Sequence, residues 1–125
     1  MLHHVSLGTN DAARAAAFYD PVLAVLGMRK ICERDGSVDY GTAQTVFSLE
    51  KPTDGNPASV GNGVHIAFAA GTRAQVDAFH RVALANGGSD AGAPGLRPEY
   101  DANYYGAFVR DPDGNKIEAV TFQAE

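Results

Sequence analysis

Glu118 stands in the middle of an apolar run, Lys116–Phe122, where Ile117, Ala119 and Thr121 share one face of a predicted strand and Glu118 takes the other. A carboxylate in that position is costly to bury unless something positive meets it. Two histidines answer the requirement. In a predicted strand over His3–Gly8, Val5 and Leu7 face one way, leaving His4 and Ser6 on the opposite side. In Val64–Ala70 the apolar residues Val64, Ile66 and Phe68 face the core, leaving His65 and Ala67 on the other side. Two imidazoles and one carboxylate projecting from three strands suit a divalent metal (Fe, Mn, Ni, Co or Zn) with coordination positions left open for two substrate oxygens. The plainer alternative is that the histidines are satisfied strand residues and the glutamate is solvated.

Further side chains are placed to line such a site. Arg97, Tyr100, Tyr104 and Tyr105 precede the closing pair of strands. Arginine holds a carboxylate or phosphate bidentately, and tyrosine offers a stacking face with a donor. The alternatives are that Tyr104 and Tyr105 cap a sheet edge or pack a dimer contact, and that Arg97 is solvated. Ser48 and Glu50 share one face of the strand Thr45–Glu50. His3 is expected on the helix side as a structural residue, and His80 on a helix, partly exposed. Cys32, the single cysteine, is expected as a small buried hydrophobe and excludes an internal disulfide or a cysteine metal cluster.

The elements that must position these groups come in two matching sets. After the first strand, Thr9-Asn10-Asp11 offers helix-capping oxygens, and Asp11–Leu26 carries apolar residues at helical spacing. Pro21 is expected to break or kink that helix, and Gly27 to end it. Met28–Arg34, Ser37–Gly41 and Thr45–Glu50 follow as strands, and Lys51–Gly63 as a loop rich in Gly and Pro. The pattern then restarts with strand Val64–Ala70, a Thr72 cap and helix Arg73–Asn86. A shift of sixty-one positions lays His4 on His65, Phe18 on Phe79, Leu23 on Leu84 and Gly27 on Gly88. Ser89–Arg97 holds too much Gly and Pro to assign, and Arg97–Asp101 reads as an edge strand or a lid. Gly106–Arg110 and Lys116–Phe122 are strands joined by the tight turn Asp111-Pro112-Asp113-Gly114-Asn115. Two tandem βαβββ modules, about 1–60 and 62–125, form one domain. Helices cover the outer face of a curved mixed sheet, whose concave face stays free for a ligand.

A chain of 125 residues, 45% of them hydrophobic, supports one compact core. The formal net charge of -5 opposes nucleic-acid or anionic-membrane binding. No apolar run is long enough to span a membrane, and no secretion signal is visible, so a cytoplasmic protein is expected.

His4-Val5-Ser6-Leu7 with Asp11 and Phe18-Tyr19, then Gly63–Phe68, then Asp111–Glu118, together resemble the vicinal oxygen chelate superfamily. That superfamily includes glyoxalase I, extradiol dioxygenases, fosfomycin-resistance proteins and bleomycin-binding proteins. The resemblance implies a metal at His4, His65 and Glu118, with Glu118 also catalytic, a small-molecule substrate, and a homodimer whose cup lies within one chain or across two. Glyoxalase I carries a second glutamate where this chain has Ser48 or Phe47, with Glu50 as a possible fourth ligand. That departure points away from glyoxalase I activity. Two histidines and one glutamate fit the extradiol dioxygenases better, although the tyrosine expected before the final glutamate is replaced by Phe108. The implied function is a metal-dependent enzyme, dioxygenase-like or lyase-like. The alternative is a metal-free small-molecule or antibiotic-binding protein using the same cup.

Overall fold

Hydrophobic alternation and two capped helices assemble as the repeat requires. A computed structural model describes residues 1–125. The first module runs β1 (Val5–Gly8), α1 (Ala12–Ala24), β2 (Arg29–Arg34), β3 (Ser37–Gly41) and β4 (Thr45–Glu50). The second runs β5 (His65–Ala69), α2 (Arg73–Ala85), β6 (Ser89–Leu96), β7 (Tyr105–Arg110) and β8 (Lys116–Thr121). Each module forms a four-stranded mixed sheet, ordered β1-β4-β3-β2 and β5-β8-β7-β6. The first strand of each is parallel to the last, and the remaining pairs are antiparallel. No ladder hydrogen bonds cross between the sheets, so β1 and β5 are free edges. No helix is long and apolar enough to cross a membrane.

Both helices start on residues the sequence marks. Asp11 caps α1 by accepting from the Arg14 amide, and Thr72 with Gln75 forms a capping box on α2. α1 continues through Pro21, contrary to the expected break. Pro21 lies in the last turns, and Val22 and Leu23 beyond it are fully buried. Burying two such side chains, at about 1.5–3 kcal/mol each, offsets the roughly 3 kcal/mol that a helical proline costs. The shift of sixty-one positions holds along the helices but slips at their ends. The glycine with positive φ after α1 is Gly27, and its counterpart after α2 is Gly87. Gly88 is instead where Phe18 of α1 packs, since a Cβ there would lie 2.7 Å from that ring.

Ser89–Leu96 forms a strand despite Gly92, Pro94 and Gly95. As β6 is a sheet edge and its register with β7 breaks between Gly92 and Gly95, the missing proline donor falls where the ladder is already interrupted. Arg97–Asp101 is not an edge strand. It is a turn in which the Arg97 carbonyl accepts from the Tyr100 amide at 3.0 Å. Cys32 is exposed, because the β2–β3 register shifts between Lys30 and Cys32 and rotates it out of the core.

One apolar core joins the modules. α1 packs on α2, and Phe47 of β4 meets Phe68 of β5 edge to face at 5.0 Å. A polar staple fixes the same arrangement. The Asp111 carboxylate, buried in the closing turn, accepts from the Tyr19 hydroxyl at 2.6 Å, the Asn115 amide at 2.9 Å and the Asn115 side chain at 3.0 Å. Asn115 also donates to the Gly8 carbonyl, and Asp113 accepts from Thr9, the Asn10 amide and Arg14. Burial, then the charge and hydrogen bond of Asp111, push the Tyr19 phenol well above its ordinary range, so it remains a donor.

On the sheet face of the first module away from α1, Asp39 of β3 is buried between Arg34, which donates at 2.7 and 3.2 Å, and Ser48, which donates at 2.7 Å. Burial alone would raise the Asp39 carboxyl. The hydrogen bonds from Arg34 and Ser48, with the charges of Arg34 and His4, outweigh it and hold Asp39 below its usual range.

Asp111→Ala is expected to lower unfolding free energy by about 3 kcal/mol, because buried donors lose their charged acceptor, and Tyr19→Phe by about 2 kcal/mol, because that acceptor loses one donor. Urea denaturation with an unchanged slope checks both. A depressed folded-state carboxyl contributes stability above its unfolded value, and that contribution disappears as pH falls through the folded value. Arg34→Met raises the folded value of Asp39, so the acid-unfolding midpoint should move to higher pH. An unmoved midpoint by circular dichroism counts against the assigned role of Arg34.

Candidate functional site

The concave face of the second module collects the chemistry-bearing residues through strand alternation alone. In β7, Tyr105, Ala107 and Val109 turn towards α2, whereas Gly106 and Phe108 face the hollow. In β8, Ile117 and Ala119 enter the core, whereas Lys116 and Glu118 face the hollow. The register aligns Phe108 with Glu118 and with Ala67, and Arg110 with Lys116 and with His65.

Glu118 is the centre of this face and is 0% exposed. The imidazole Nε2 of His65 lies 3.0 Å from its Oε1, within hydrogen-bond distance, and the Tyr104 hydroxyl donates to its Oε2 at 2.5 Å. No lysine or arginine forms an ion pair with it. Within the chain its burial is compensated by the contacts with His65 and Tyr104. Gly106 makes room for the carboxylate, since a Cβ there would lie 2.8 Å from Oε2 and 3.2 Å from the Tyr104 ring. Burial, followed by the hydrogen bond to Glu118, raises the Tyr104 phenol far above its ordinary value. Tyr104 is thus a positioning donor and not a base at neutral pH.

The hollow around Glu118 has a volume of about 380 Å³ and is lined by His65, Tyr100, Tyr104, Phe108, Lys116 and Glu118. Tyr100 is 64% exposed and packs its ring 5.0 Å from that of Tyr104. Phe108 meets His65 edge to face at 5.7 Å, with the Arg97 guanidinium 5.6 Å and the Lys116 ammonium 4.9 Å from its ring. Arg97 donates to the Gly95 and Ala93 carbonyls. Tyr105 lies on the other face of β7, donating to Asp77 of α2 at 2.6 Å beneath Arg73. Adjacent strand residues cannot share a face, so only Tyr104 of the tyrosine pair reaches the hollow.

The first module presents a related but different face. Its register aligns Ser6 with Ser48 and Ser48 with Asp39, where the second module has Ala67, Glu118 and Phe108. Ser48, and not Phe47, is therefore the counterpart of Glu118, and Phe47 is a core residue. Glu50 is half-buried at the strand end, its carbonyl accepting from the Thr9 amide. His4 is exposed, its Nδ1 2.8 Å from Nδ1 of His3, so one ring donates and the other accepts. His3 is exposed as well and lines an apolar cleft of about 560 Å³ together with Val5, with Leu26 and Met28 just past α1, and with the residues of β5. His80 is half-buried on α2 and bonds Asp90 at 2.9 Å.

Within one chain, then, the structure brings together Glu118, His65, Tyr104 and Phe108, and leaves His4 apart. No group of three metal-ligating side chains forms in a single chain. Asp39 is the residue that sequence reasoning missed. Its signal was available, because it sits between the core residues Val38 and Tyr40 as Glu118 sits between Ile117 and Ala119.

This arrangement fits a metal in part. Ligands about 2.0–2.1 Å from one ion and at right angles to each other lie about 3 Å apart, which the His65–Glu118 pair matches at 3.0 Å. A third protein donor must come from beyond these two residues.

No curated protein matches the chain. A glyoxalase/bleomycin resistance protein from Albidiferax ferrireducens T118 is 39% identical, with a TM-score of 0.88 over 96% of this chain and 97% of that one. A lactoylglutathione lyase from Agrobacterium tumefaciens is 22% identical, with a TM-score of 0.67 over 96% of this chain and 92% of that one, a likeness of fold. With its paired βαβββ modules and a match over residues 1–119, the chain belongs to the glyoxalase/bleomycin resistance protein/dioxygenase superfamily.

Proposed function

We propose that this protein is a metal-dependent enzyme acting on a small substrate that presents two neighbouring oxygens, with a dioxygenase-like or lyase-like reaction. The observation that carries this reading is the buried Glu118 carboxylate, which has an imidazole and a phenol for partners and no permanent cation. His65 and Glu118 hold the divalent ion, and His4 of a second copy completes the set. Three facts support the second copy. His4 forms no metal-binding group with the pair within one chain, it immediately precedes β1 as the sequence repeat's counterpart of His65, and β1 and β5 are both sheet edges.

A divalent ion in that position supplies charge stabilisation for the substrate oxygens as they become negative. The chain's own residues do the rest. Tyr104 holds the carboxylate of Glu118 at a fixed angle through Oε2, leaving Oε1 directed at His65. Phe108 and Tyr100 give the same hollow two aromatic walls. Ser48 stands where a second glutamate would serve as a base, and a serine hydroxyl bound to Asp39 does not perform that task.

A metal-free binding protein is the second reading, favoured by one specific observation: both oxygens of Glu118 already have partners within the chain. Elemental analysis after metal loading separates the two. The enzyme reading expects about one ion per chain in wild type and loss in His65→Ala and His4→Ala. Mixing the two variants should restore one ion per heterodimer, since that pairing rebuilds one complete His4, His65 and Glu118 set. Substoichiometric wild-type metal sinks the enzyme reading, and failure of the mixture sinks the two-copy arrangement.

Tyr104→Phe removes the hydroxyl that orients Glu118 without changing the ring. Metal affinity, measured by competition with a chromophoric chelator, should fall about tenfold, the usual effect of losing a hydrogen-bond partner of a metal ligand. An unchanged affinity rejects the positioning role.

A further inference from the structure

The row of side chains next to Glu118 carries a feature that metal binding does not require. His65, Lys116 and Arg110 are register partners on three adjacent strands and project from one face. Neither Lys116 nor Arg110 pairs with a carboxylate. Lys116 rests on the Phe108 ring, and Arg110 donates to the Gly114 carbonyl at 2.8 Å, so both charges lack a neutralising partner in a chain of formal net charge -5. A second hollow of about 490 Å³, lined by Gly61, Asn62, Gly63, His65, Arg110 and Lys116, opens over this row. It shares His65 and Lys116 with the hollow around Glu118, so the two adjoin at these side chains.

The internal repeat provides a comparison. The first-module counterpart of Lys116, judged by the β1–β4 register, is Val46, an exposed apolar residue. The sheet therefore folds without a cation in this position. The charge belongs to the second module, beside the carboxylate.

We propose that Lys116 and Arg110 form a subsite for an acid group, and that the substrate is an anion. Its carboxylate lies one step along the strands from the two oxygens held at Glu118. This rests on the metal-dependent reading for the location of those oxygens. Successive residues on one strand face are about 6.6–6.8 Å apart, which sets the separation between chelating oxygens and acid group. A compact aromatic acid spans it, with its ring against Phe108. The two cations act electrostatically on an exposed anion, so the subsite weakens with added salt.

The test compares 3,4-dihydroxybenzoate, whose vicinal diol and carboxylate lie at opposite ends of one ring, with the neutral 3,4-dihydroxybenzamide. Calorimetry on the metal-loaded protein should give at least tenfold tighter binding of the acid at low salt, shrinking as salt is raised. Lys116→Met should reduce the acid to within about twofold of the amide, Arg110→Gln should reduce it in part, and Lys116→Arg should retain the preference. The amide serves as the control for an intact cup in each variant. Equal affinity of acid and amide for wild type, or a preference that survives Lys116→Met, overturns the subsite and leaves the metal reading standing. Failure of both ligands to bind the loaded wild type overturns the metal-dependent reading and the subsite together.

Discussion

The relative placement of the two modules depends on one buried carboxylate. Sheet hydrogen bonds stop at the module boundary, and the apolar contacts between α1 and α2 and between Phe47 and Phe68 carry little directional information. Asp111 supplies the direction. Its oxygens tie the β7–β8 turn to Tyr19 on α1, and Asn115 extends the tie to the end of β1. The same turn launches β8, whose third residue is Glu118. The geometry of the site is thus set from the turn at the start of its own strand, by bonds that tolerate little displacement.

Duplication gave two equivalent faces, and the residue exchanges between them assign each a different task. Where the second module has Glu118, the first has Ser48, and where the second has Phe108, the first has Asp39. Both faces therefore bury a carboxylate, one strand apart. Asp39 is neutralised by Arg34 and locked by Ser48, so it is spent within its own module. Glu118 has an imidazole and a phenol as partners and no ion pair with lysine or arginine. A fold that can neutralise a buried acid with arginine, and does so once, leaves the other open on the face that carries the hollows.

Much of this was legible in the chain. The two capped helices, the αL glycines after them and seven of the eight strands follow from periodicity and turn chemistry, because those signals are local. β6 was not, since its Gly and Pro content is tolerated by its position at a sheet edge, which no local pattern records. Pro21 misleads for a related reason: the burial that carries α1 past it comes from tertiary packing. The facing of His65 and Glu118 was readable because a strand alternates with a period of two. The separation of His4 from them within one chain was not, because sequence alternation fixes faces and not distances. The same alternation contained the answer for Tyr104 against Tyr105, and for Asp39.

β1 and β5 each leave backbone donors and acceptors unpaired, and an apolar cleft runs along β5 between His3 and Ala69. Such edges are normally covered. On the proposed pairing of two copies, the event that covers β5 also carries His4 towards the Glu118–His65 pair, so association and metal binding become linked equilibria. Linkage is reciprocal: whatever free energy the ion gains from the third ligand, the dimer gains from the ion. The isolated chain then needs an internal substitute for each missing partner, and it has them. His3 satisfies the ring of His4, and His65 and Tyr104 satisfy Glu118, so each of these polar groups has a partner in the isolated chain.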